Sequence, residues 1–60
     1  MDRERLMAEA NYYQMLAANF ACDARFNMAR GALAAARFYQ DYARLYAASA
    51  HYCMSRILWS

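Results

Sequence analysis

Gly31 is the only glycine in a 60-residue chain that has no proline, so residue 31 is the one position where the backbone can readily leave a helix. The apolar residues on either side of it recur by alternating threes and fours, the spacing of a helical packing stripe. One ladder is Leu6, Ala10, Tyr13, Ala17, Phe20 and Ala24, extending to Met28; the other is Phe38, Tyr42, Leu45, Ser49, Tyr52 and Arg56. Folding the chain at residue 31 brings each position to its mirror image, with paired numbers totalling 62. Ala24 then meets Phe38, Phe20 meets Tyr42, Ala17 meets Leu45, Tyr13 meets Ser49 and Ala10 meets Tyr52, mostly a small residue facing a large one. This predicts an all-α antiparallel helical hairpin in one domain spanning residues 1–60, with helix 1 at about 3–29, a turn at about 30–31 and helix 2 at about 32–58. Asp2 is placed to cap helix 1 and Glu4 to favour its N-terminal dipole, Arg25 and Arg30 fall in its last turn, and Gly31 forms its left-handed end. The tail from Ile57 to Ser60 is expected to fray. Helix 2 has no strong N-cap.

A domain this small removes only about 60% of its unfolded surface from water and usually needs a disulfide, a metal or a partner chain. In the hairpin Cys22 lies opposite about residue 40 and Cys53 opposite about residue 9, roughly 20 Å apart along the axis. A disulfide needs Cα atoms within about 7 Å, so two free thiols are expected, as suits a reducing cytoplasm. His51 is the only histidine, and it points away from Cys53 two residues on, so no zinc spacing is present. A partner chain is left as the helper. Helix 1 supports this with a second apolar stripe of Ala8, Met15, Cys22, Phe26 and Ala29, nearly opposite the first. The expectation is a hairpin that dimerises into a four-helix bundle or clamps onto a larger protein.

Hydrophobic residues make up 63% of the chain, but fifteen of the sixty are alanine, and the longest stretches without a formal charge are residues 10–22 and 45–55. Both are shorter than the roughly 18 to 20 residues that a membrane-spanning helix requires. The start, Met1 to Arg5, carries both signs of charge and leads into no apolar core with a cleavage site, so it does not read as a signal peptide. A cytoplasmic protein is expected. All seven basic residues are arginine, a bias that with the alanine suits a bacterial or phage gene of high GC content.

Two sets of residues could carry function. Tyr12, Met15, Cys22, Phe26, Tyr39, Tyr46, Tyr52 and Trp59 supply more aromatic and sulfur surface than a thin hairpin can bury, and such side chains dominate protein interfaces. Helix 2 is the more amphipathic, with Ala35, Phe38, Tyr39, Tyr42, Tyr46, Cys53 and Ile57 on one side and Arg37, Gln40, Asp41, Arg44, His51 and Ser55 on the other. Arg30, Arg37 and Arg44 recur every seven residues and His51 continues the series, a line of about 31 Å that could follow phosphates. Against this, Asp41 sits four and three residues from Arg37 and Arg44, where it can neutralise them, and the net charge is only +2. Asn11, Asn19 and Asn27 drift around helix 1 and read as exposed polar positions.

No catalytic constellation is present: the mirror places His51 opposite about residue 11, roughly 17 Å along the axis from Cys22, and Asp23 and Asp41 are out of register. No enzyme, cofactor or metal is expected. The sequence points to a small interaction protein, a bacterial or phage regulator or inhibitor that docks Tyr, Phe and Met side chains on a larger protein. A dimeric nucleic-acid-binding protein using Arg30, Arg37, Arg44 and His51 is the alternative. Its architecture is similar to that of Rop-type RNA-binding bundles, a likeness of fold carried by no motif. A structural subunit of a larger complex would show the same features.

Overall fold

Strong helix formers and the absence of proline carry α1 from Asp2 to Ala29 and α2 from Leu33 to Trp59. These elements come from a computed structural model that describes residues 2–59. Asp2 lies within the first turn of α1 together with Glu4, rather than ahead of it as a cap. Trp59 is still helical, and Ser60, expected at the frayed end, is outside the described residues. The hairpin measures 44 × 13 × 11 Å. A 28-residue helix is about 42 Å long, so the two helices lie side by side over their whole length.

The connection is built around Gly31, which has φ of 80°, the one positive φ among the described residues. The Gly31 N–H donates to the Met28 carbonyl at 3.0 Å and the Ala32 N–H to the Asn27 carbonyl at 2.9 Å. This pair of bonds is a Schellman ending, and it satisfies two carbonyls that the helix end would otherwise leave open. Arg30 is consequently in the turn, and the last turn of α1 holds no basic residue, contrary to the expected place of Arg25 and Arg30. The Ala32 carbonyl accepts the first bond of α2, from Ala36 N–H at 2.9 Å, so Ala32 starts the helix without a capping side chain. A Cβ added at Gly31 would meet nothing within 4 Å. Gly31→Ala should therefore cost only the left-handed strain, about 1 kcal/mol, read as a lower urea midpoint at unchanged helicity. A gain in stability would mean that the turn is not held in this conformation.

In α1 the seam follows the sequence ladder: Ala10 and Ala24 are buried, and Leu6, Tyr13, Ala17 and Phe20 are half-buried. At its end Asn27 is half-buried and Met28 exposed, because a heptad stripe falls back by about 20° per repeat on a straight helix. Asn27 bonds within its own helix, through Nδ2 to the Asp23 carbonyl at 2.8 Å, while Asn11 and Asn19 are exposed.

The α2 seam differs from the expected ladder by one residue, a rotation of about 100°. It is Ala36, Tyr39, Ala43, Tyr46, Ala50, Cys53 and Ile57, all buried or half-buried. Phe38, Leu45 and Tyr52 of the expected ladder are instead 55%, 57% and 62% exposed. The contacts spread about the expected level. Tyr13 stacks on Tyr46 at 6.0 Å and Phe20 on Tyr39 at 6.0 Å, pairs totalling 59, while Phe20 also stacks on Tyr46 at 5.6 Å, totalling 66, and the Cys53 thiol meets Glu9, totalling 62. Phe20 with Tyr42 is one expected pair that does meet, at 5.4 Å. The physical reason for the rotation is a heptad of alanine on each helix. With totals near 60, Ala10, Ala17 and Ala24 fall level with Ala50, Ala43 and Ala36, and the backbones can close on one another, whereas Phe38, Leu45 and Tyr52 in the seam would hold them apart. Aromatic layers fill the spaces between, with Phe20 central, stacked on Tyr39, Tyr42 and Tyr46.

Candidate interaction surfaces

Because the seam uses only one narrow side of each helix, the remaining circumference presents four surfaces; three carry the residues that the sequence singles out, and the fourth, the other broad side, holds a shallow groove lined by Gln14, Ala17, Ala47, His51, Met54 and Leu58, among others. The first is the outward stripe of α1, which lies where the sequence places it: Ala8, Met15, Cys22, Phe26 and Ala29 are all exposed, Phe26 by 61%. Arg30 lies over the Phe26 ring with its guanidinium carbon 5.4 Å from the centroid, an exposed cation–π contact worth about 0.5–1 kcal/mol. Cys22 is an exposed free thiol on this stripe, whereas Cys53 is free and buried in the seam.

A second surface is the broad side of the hairpin that carries the displaced α2 ladder. Phe38, Tyr42, Leu45, Ser49, Tyr52 and Arg56 run along it, 18 residues or about 27 Å, beside Tyr12 and Leu16 of α1. Its aromatic rings are continuous, Phe38 meeting Tyr42 edge-on at 4.8 Å and Tyr12 meeting Tyr13 at 5.8 Å. Near the chain ends the side opens into a shallow groove lined by Arg5, Glu9, Tyr13, Leu45, Tyr52 and Arg56, among others. There the Arg5 Nε lies 4.0 Å from Glu9 Oε1, and the Cys53 thiol donates weakly to Glu9 Oε2 at 3.9 Å. Arg56 lies over the Tyr52 ring at 5.9 Å. Glu9 thus holds one positive and one thiol partner at the groove's end, and Arg56 is left as a second positive charge beside it.

Third comes the outward side of α2. Arg37, Arg44 and His51 are exposed along it, but Arg30 belongs to the turn, so the line on the helix covers 14 residues, about 21 Å, rather than 31 Å. Among the described residues Asp41 makes no ion pair within 4 Å, so the expected neutralisation of Arg37 and Arg44 is not formed as a contact.

The eight aromatic and sulfur candidates divide accordingly. Tyr12, Met15, Cys22, Phe26, Tyr52 and Trp59 are exposed, Trp59 by 87%. Tyr39 and Tyr46 are half-buried and stacked in the seam, and this removes them from the docking set. Their rings are consumed by lying flat against Phe20 and Tyr13, a way of burying aromatics that a helical wheel does not register. Phe38, Tyr42 and Leu45 take their place on the surface. The signal that could have found them is the alanine heptad 36, 43, 50, which competes with their stripe for the seam.

No family model, curated protein or solved structure matches this chain. Among the described residues no group of three or more His, Cys, Asp and Glu is placed to hold a metal ion, and no helix is long and apolar enough to cross a membrane. His51 is exposed and Cys53 is buried, so the two point to different environments.

Proposed function

We propose that this chain is a non-enzymatic helical interaction module: a homodimer that forms a four-helix bundle and docks its exposed Met and Phe side chains on a larger protein, as a cytoplasmic regulator or inhibitor of bacterial or phage origin. The observation that carries the reading is the character of the core. The fully buried positions among the described residues are Ala10, Ala24, Ala36, Ala50 and Cys53, while Phe26, Phe38, Leu45, Tyr52 and Trp59 are more than half exposed. Large apolar side chains left in water on this scale mark docking surfaces. With two surfaces available, one can serve self-association and the other a target.

The outward stripe of α1 is the target surface, because Met15 and Phe26 are exposed there and neither stands in the seam. Met15→Ala with Phe26→Ala should reduce affinity for the target by about 2 kcal/mol or more while leaving helicity and oligomeric state unchanged. The binding should change little between low and moderate salt. The exposure of Arg37, Arg44 and His51 with Asp41 unpaired favours one other reading, docking on nucleic acid. On that reading Arg37→Ala with Arg44→Ala abolishes binding to an RNA hairpin or duplex probe, and the salt slope falls by about one for each lost phosphate contact. A target captured from a bacterial lysate on the immobilised chain supplies the protein ligand, and titration of both double variants against it and against RNA, at two salt concentrations, decides between them. Tight salt-sensitive RNA binding that survives loss of Met15 and Phe26 would overturn the protein-docking reading.

A further inference from the structure

The hairpin exposes more surface than a folded chain of its mass should. Its accessible area is 4834 Å². The scaling of surface with mass gives about 4000 Å² for a compact 7.0 kDa monomer, an excess of about 800 Å², which is what one partner of a standard-size interface buries. Both broad sides span the two helices, and the aromatic one carries large exposed side chains at heptad spacing along α2, Phe38, Leu45 and Tyr52, where the other offers Ala47 and Met54.

The order of residues on this side is self-complementary about one point. Leu45 lies one residue from the midpoint of α2. Let a two-fold axis pass beside Leu45, parallel to the broad side and across the helices, so that each helix lies antiparallel on its own copy. Leu45 then meets Leu45, Phe38 meets Tyr52, and Tyr42 meets Ser49 to within one residue, a large residue over a small one. The same axis fixes what meets on α1, because the buried alanines of the two helices, Ala10 with Ala50 and Ala24 with Ala36, pair at a total of 60 and so set Leu45 level with residue 15. Tyr12 falls opposite Leu16, and Arg5 opposite Asp23, each to within two residues, about 3 Å, which the long arginine side chain spans. The two α1 residues are opposite in charge and were not used to place the axis. Arg5 is held in its own chain only by a 4.0 Å contact through Nε with a side chain that is 74% exposed, the weak kind of pair that can exchange partners.

The geometry points to a second copy of this chain as the occupant of the broad aromatic side, in a two-fold dimer with turns at opposite ends, Leu45 on the axis and Arg5 of each copy facing Asp23 of the other. This deepens the homodimer reading above by assigning its surface. It leaves the outward α1 stripe and the α2 arginines in solvent, so self-association and target docking use different residues.

Sedimentation equilibrium of the full chain tests it. Wild type should be a dimer at tens of micromolar. Arg5→Glu and Asp23→Arg should each weaken the dimer about tenfold, since each places like charges together at both ends, and the double variant should return to within about threefold of wild type. Leu45→Glu should dissociate it at least about a hundredfold by putting two carboxylates on the axis. In a Cys22→Ser background, Leu45→Cys should form an intermolecular disulfide with glutathione disulfide as oxidant. Tyr52→Cys should not, because its copy stands 14 residues away, about 21 Å. A dimer that tolerates Leu45→Glu, links through Tyr52→Cys or ignores both charge reversals overturns this assignment while leaving homodimerisation standing. A helical wild-type monomer at 100 µM overturns both. If Leu45→Glu loses its helices, the charge reversals and the two cysteine variants decide the matter.

Discussion

Phe20→Ala should leave the chain without a cooperative unfolding transition at 25 °C. Phe20 stacks on three tyrosines of α2, at 6.0 Å on Tyr39, 5.4 Å on Tyr42 and 5.6 Å on Tyr46, and no other ring holds α1 to α2 at so many points. Truncating a core phenylalanine costs about 3–5 kcal/mol, and because Phe20 is half-buried the lower end applies, about 3 kcal/mol. A 60-residue domain has in total only about 3–9 kcal/mol to lose. Phe20→Leu keeps the apolar volume but loses the stacked faces and should cost about 1–2 kcal/mol. Phe26→Ala is the control, exposed on the far side of the same helix, and should cost at most about 1 kcal/mol, the worth of its contact with Arg30. Urea melts followed by circular dichroism at one protein concentration give all three values. Equal losses for Phe20→Ala and Phe26→Ala would mean that the aromatic layers do not hold the hairpin together.

The turn and the α1 seam were readable in the residues because each rests on one unambiguous signal. A lone glycine followed by a resumed helical pattern admits few backbone solutions, and the Schellman bonds around Gly31 are one of them. In α1 Glu9 and Gln14 flank the ladder of Ala10, Ala17 and Ala24 on either side and mark it off as the seam, while Asn11 and Asn19 fall within the outward stripe. In α2 two apolar heptad stripes lie side by side. Ranking them by hydrophobicity selects Phe38, Leu45 and Tyr52, whereas closest approach of two helices selects Ala36, Ala43 and Ala50. Packing follows the second criterion because alanine on both helices lets the backbones come together and brings Phe20 under three tyrosines. The docking set was legible to the same extent. Met15, Cys22 and Phe26 are where periodicity puts them, but Tyr39 and Tyr46, surplus by composition, are taken up by the seam. Arg30 dropped from the basic line because the positive φ of Gly31 takes the chain out of the helix one residue later, a break that a seven-residue count passes over.

Ala36→Leu tests the choice between those two stripes, and it should be the most damaging of the conservative substitutions on α2. Ala36 has no exposed surface, and the total of 59–60 places it level with Ala24, which is also buried. Three added carbons have nowhere to go unless the helices part, and parting them would pull Phe20 from Tyr39 only three residues along. Overpacking of this kind usually costs about 1–3 kcal/mol, and with alanine on both sides of the layer the upper value applies. Leucine and alanine have similar helix propensity, so the loss cannot come from the helix itself. Ala47→Leu and Ala18→Leu supply the comparison, since both positions are exposed in mid-helix and should shift stability by less than about 0.5 kcal/mol. The measurement is again a urea midpoint at fixed concentration, with sedimentation run alongside to confirm that oligomeric state is the same for each variant. Were Phe38, Leu45 and Tyr52 the true seam, Ala36 would lie beside it with room to grow, and Ala36→Leu would behave like Ala47→Leu. That outcome would return α2 to the rotation expected from hydrophobicity and place the alanine heptad on the surface.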